Sequence, residues 1–163
     1  MTATYEKIAT TTLGSSSATV NFTSISGSYT DLVLVCTPLS TTIDNLVIQY
    51  NGDTASNYSW TTLGGNGTVA SSNRGSNNTN SYLHYQAGVN TTQSNVIVNI
   101  MNYSNTTTFK TAICRGNNTT IGTDSTVVLW RSTSAINSIL LKQRGSNNLN
   151  SGSTFTLYGI KAE

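Results

Sequence analysis

Charge is scarce in this chain: 163 residues carry 8 Lys and Arg, 6 Asp and Glu, and a single His. General acid–base catalysis needs an acid and a base held together, and nucleophilic catalysis needs a nucleophile with a base beside it. The acidic inventory is only Glu6, Asp31, Asp44, Asp53, Asp124 and Glu163, mostly in segments that read as turns or termini, where Asp caps or turns the backbone. His84 sits between aromatic residues with no acidic neighbour and is expected to be structural. No HExxH, paired CxxC, P-loop or GxSxG is present, so no enzyme and no cofactor are expected. A net charge of +2 with scattered cations gives no nucleic-acid or anionic-membrane footprint. The longest apolar runs, such as Leu32–Cys36, fall far short of a membrane span. The opening residues Met1–Lys7 include no apolar stretch of the kind a secretory leader needs. Cysteine is nearly absent too: Cys36 and Cys114 lie within apolar runs and are expected as buried thiols, a disulfide being the alternative.

What the chain has instead is Thr, Ser and Asn, 71 of 163 residues, interrupted by short bursts of Val, Ile and Leu. The branched Cβ of Thr packs on pleated surfaces, while Asn, Ser and Gly suit turns. No helical stripe of apolar residues is visible, but strand signals recur over 5–11, 18–25, 31–37, 45–51, 58–63, 81–86, 95–102, 107–115, 126–131, 138–144 and 154–161. This spacing predicts one all-β domain over 1–163, an antiparallel, jelly-roll-like β-sandwich of about eight to eleven strands. Val96, Val98 and Ile100 should share one buried face, and Leu32–Cys36, apolar throughout, should be central and covered on both sides. Pro38 can end that strand, and Asn51-Gly52 predicts a tight reversal into the strand over 58–63. Leu34 and Trp130 are the clearest core positions.

Residues 64–80, mostly Gly, Asn and Ser with one Arg, read as a long exposed loop and a candidate contact surface. Within it, Arg74-Gly-Ser-Asn-Asn78 recurs as Arg144-Gly-Ser-Asn-Asn148, with a partial echo at Arg115-Gly-Asn-Asn118. Arg74, Asn77, Asn78, Arg115, Arg144, Asn147 and Asn148 are therefore the candidate contact residues, Arg forks and Asn amides that loops could present at one end of the sandwich. No metal is expected; Asp44 and Asp53, which flank one strand, are the only pair to check for calcium. Trp60, Tyr58 and Tyr82 could offer faces to a sugar, though aromatics in strands are more often core. The nine Asn-x-Ser/Thr triplets follow from composition.

Several phrases together resemble a family of small virion proteins of tailed bacteriophages. They are Ile8–Gly14, Ser28–Leu34, the stretch Tyr50–Trp60 with its Asn-Gly-Asp turn, Leu129–Ile136, and Ser153–Ile160 with its Leu-Tyr-Gly-Ile ending. The resemblance implies a jelly-roll-like sandwich in the virion, used in capsid decoration or in tail-fibre tips, and implies no catalytic residue. The chain shows no heptad stalk of the kind a fibre tip is carried on. The leading expectation is therefore a capsid decoration or cement protein, made in the host cytoplasm and located in the virion. It would act as a homotrimer on the major capsid protein or other virion proteins. The alternative is a tail-fibre or receptor-binding module for host glycans.

Overall fold

The computed structural model describes residues 4–161. Twelve strands form two sheets, every pairing antiparallel and no helix among the described residues. In chain order the strands are β1 (Tyr5–Thr12), β2 (Thr19–Phe22), β3 (Asp31–Thr37), β4 (Leu46–Tyr50), β5 (Tyr58–Gly65), β6 (Ala70–Asn78), β7 (Ser81–Tyr82), β8 (Ser94–Met101), β9 (Lys110–Asn118), β10 (Gly122–Trp130), β11 (Ile139–Gln143) and β12 (Thr154–Ile160). The large sheet has the order β1-β12-β3-β8-β9-β10-β5-β6; the small one is β2-β11-β4-β7.

The core lies between the sheets and uses alternate residues of each strand. Leu32, Leu34 and Cys36 of β3, Val96, Val98 and Ile100 of β8, and Ala112 and Cys114 of β9 point inward with Val128 and Trp130 of β10. Val20, Phe22, Leu46, Ile48, Ile139 and Leu141 oppose them from the small sheet. Trp130 anchors one end: its ring lies 5.4 Å from that of Tyr50 and 6.3 Å from that of Tyr58, and its indole N–H donates to Asp53 at 2.7 Å. Both cysteines are buried free thiols, and burial raises the pKa of each.

Four expectations from the sequence are corrected. Residues 64–80 are not a long loop; β5 and β6 form a hairpin closed by a tight turn. There the Asn66 side-chain oxygen accepts from Thr68 and Val69 N–H at 3.0 and 2.9 Å, and Gly67 takes φ +87°. As an edge strand β6 needs no apolar face, which is why its polar composition concealed it. The strand expected over 81–86 ends at Tyr82; Leu83 N–H still reaches the Leu46 carbonyl, but the amides of Tyr85, Gln86 and Ala87 are taken by Asp124, described below. The Asn51-Gly52 turn forms, both residues at positive φ, but it carries the chain from the small sheet to the large one without pairing β4 with β5. The strand buried on both faces is β4; β3 lies inside its sheet between β12 and β8, yet Val35 on its outer side is only half-buried.

Candidate functional site

The described carboxylates are engaged in hydrogen bonds that hold the fold. Asp53 takes the Ala55 N–H at 2.8 Å on one oxygen, and the Asn57 amide and Trp130 indole on the other. Burial opposes its ionisation, but the donors from Asn57, Trp130 and Ala55 outweigh that and hold its pKa below the usual carboxylate value. Asp44 accepts from Asn45 and Gly145 N–H, each at 2.8 Å. The two aspartates checked for calcium thus already face N–H donors, which a metal site does not supply. Among the described residues no three His, Cys, Asp or Glu side chains cluster as metal ligands. Asp31 accepts from Asn102 N–H, and Glu6 pairs with Lys161 and Tyr29. Glu163 lies outside the described residues.

Asp124 is the unexpected one. It sits within β10, directly between Gly64 of β5 and Gly116 of β9, and one oxygen accepts three successive amides, Tyr85, Gln86 and Ala87, at 2.7, 2.6 and 3.0 Å. The glycines make this approach possible: a Cβ on Gly64 would stand 2.8 Å from Gln86 Cγ, and one on Gly116 2.9 Å from His84 Cβ. His84 is fully buried, its Nε2 accepting the Leu46 N–H at 3.1 Å, so the neutral ring carries its proton on Nδ1. Burial lowers its pKa to about 4, against the raising influence of Asp124 and Asp44. The expectation of a structural histidine agrees with this placement.

Of the aromatic candidates, Tyr58 and Trp60 are buried and present no face to solvent. Tyr82 is half-buried, edge-on to Trp60 at 4.6 Å.

The Arg-Gly-Ser-Asn-Asn segments do not form one fork. Arg74 is exposed on edge strand β6. Asn77 accepts from the Arg131 guanidinium at 2.9 Å, and Asn78 is tucked against Gly75 and Trp60. Arg144, Asn147 and Asn148 belong to the connection from β11 to β12, where the Arg144 guanidinium lies 5.8 Å over the Tyr82 ring. Arg115 is not in a loop; it lies within β9, on its outer face.

That outer face is the largest surface the large sheet offers. Cross-strand register places Arg115 between Ile97 and Ser125, with Leu63 beyond Ser125; the adjacent row runs Asn99, Ile113, Val127, Thr61, Arg74. Arg74 and Arg115 therefore share this face, three strands apart, about 14 Å across the sheet. Near and between them Leu63, Val127 and Ile113 stand 64%, 50% and 41% exposed, an apolar cluster on three neighbouring strands left to water. Leu63, Ile97, Arg115 and the polar side chains of Asn95, Asn117 and Ser125 line a shallow groove of about 630 Å³. These aliphatics were not singled out in the sequence. The signal for them is in β9 and β10, where Ile113 and Val127 alternate with core residues and so must point away from the core.

No family model and no curated protein matches this chain. Among solved structures, the galectin LEC-6 of Caenorhabditis elegans is similar over 90% of this chain and 94% of its own, at 12% identity and a TM-score of 0.44.

Proposed function

We propose that this chain is a non-enzymatic structural protein of a tailed-phage virion, a decoration or cement protein that binds the assembled head and stabilises it. The observation that carries this reading is the outer face of the eight-stranded sheet: wide, covered by no further layer among the described residues, nearly uncharged, and bearing aliphatic side chains in water. Such a face suits covering another protein surface. The sequence resemblance to phage virion proteins supports the same reading, as does the engagement of the described carboxylates in structural hydrogen bonds, which leaves little to run a reaction. The expected homotrimer is part of the proposal, and sedimentation equilibrium checks it.

The direct test is cosedimentation of the purified protein with emptied heads that lack it. Saturable binding is expected; protein remaining in the supernatant at micromolar concentration would sink the proposal. The glycan-receptor reading has one observation in its favour, the Arg144 guanidinium over the half-buried Tyr82 ring. Glycan-array binding that disappears in Arg74→Ala/Arg144→Ala would support it over the first.

A further inference from the structure

We infer that the outer face of β8, β9, β10, β5 and β6 is the docking footprint, and that its occupant is an apolar surface of the phage head whose carboxylates meet Arg115 and Arg74. This rests on the head-decoration reading and goes beyond it by naming the surface and the chemistry of its partner.

Three observations select this face and this occupant. The first is size: five strands at about 4.8 Å and of eight or nine residues at about 3.3 Å give a face of roughly 700 Å², within the range of one side of a standard protein interface. The second is composition. Leu63, Val127, Ile113 and half-buried Ile97 form a shallow arc over two adjacent rows of four neighbouring strands, with Ser, Thr and Asn around them, an apolar centre inside a polar rim.

The third is charge. On the outward side of these five strands the charged residues are Arg74 and Arg115, and neither guanidinium meets a carboxylate among the described residues. Asp124, the one acid in these strands, points inward. Arginine is favoured at interfaces because its planar fork holds a carboxylate by two bonds. A second copy of this chain docked face to face would bring arginine against arginine with no acid on the patch to answer them. A glycan would want an aromatic platform, and none lines the groove. A protein surface with apolar side chains and acidic groups satisfies both parts of the patch.

The test uses the same cosedimentation with emptied heads. Ile113→Glu, Val127→Glu and Arg115→Glu all change exposed side chains, and circular dichroism and Tm verify that each variant is folded. Each is expected to weaken head binding at least tenfold, with Arg115→Lys retaining part of it. Lys142→Glu, on the small sheet, is expected to bind as wild type. Wild-type protein that fails to bind heads at all overturns the head-decoration reading itself. Wild-type binding with folded face variants binding equally well overturns the footprint alone. Self-association abolished by Ile113→Glu while head binding persists would assign the face to a second copy and likewise overturn the inference.

Discussion

A carboxylate that accepts three backbone amides in a nearly water-free setting concentrates more stability than its single charge suggests. Asp124 does this for the segment after β7, and the two flanking glycines let the segment descend onto the sheet. Asp124→Ala would leave three amides without an acceptor, at about 1–3 kcal/mol each where water cannot replace it. We expect a total loss on the order of 3 kcal/mol or more in urea unfolding, with early amide exchange at Tyr85, Gln86 and Ala87. Gly116→Ala should cost about 1–3 kcal/mol through the clash with His84. His84 gives a pH prediction. Its folded pKa of about 4 lies below the ordinary 6.5, so the unfolded chain binds the extra proton and stability falls as pH is lowered. The contribution is fully present above about pH 6.5 and is lost as pH falls toward 4, on the order of 3 kcal/mol in all. Because the chain has one His, its imidazole resonance can be followed alone. A midpoint near 4 is expected, and one near 6.5 would contradict its burial.

At the scale of elements, the β5–β6 hairpin is the most exposed addition to the large sheet. Gly67 holds φ +87°, which L side chains adopt at a cost of about 1–2 kcal/mol. Gly67→Val should therefore raise amide exchange along β6 while leaving β3 and β8 protected. Unchanged exchange along β6 would mean the turn does not control the strand. This hairpin also marks where the sequence stops being readable. Strands that fill the core announce themselves by alternation, as Val96, Val98 and Ile100 do, and the positions of Leu34 and Trp130 follow from the same pattern. A strand such as β6, held by hydrogen bonds at an edge and facing water, carries no such pattern, so Ala70–Asn78 resembles a loop in composition. Asp124 misleads in the other direction. An acid between turn-forming residues suggests a turn, and only the register with Gly64 and Gly116 shows why a buried strand accepts it. The candidate arginines were legible as residues, but which of them share a face depends on pairing between strands distant in sequence.

The whole molecule is a sandwich that uses one sheet face for its core and leaves the other face of the larger sheet open. Truncating Trp130 or Leu34 to Ala should cost about 3–5 kcal/mol, since each fills the space between the sheets. A loss under about 1 kcal/mol at both would contradict the packing described. With the core buried and the described carboxylates engaged in hydrogen bonds, the remaining chemical resource is surface, for which we propose the phage head as partner. Immunogold electron microscopy of the virus particle, with antibody against this chain, tests that assignment most directly. Label distributed over the head is the expected result; label confined to the tail, or no label on particles whose epitopes are accessible, would contradict it.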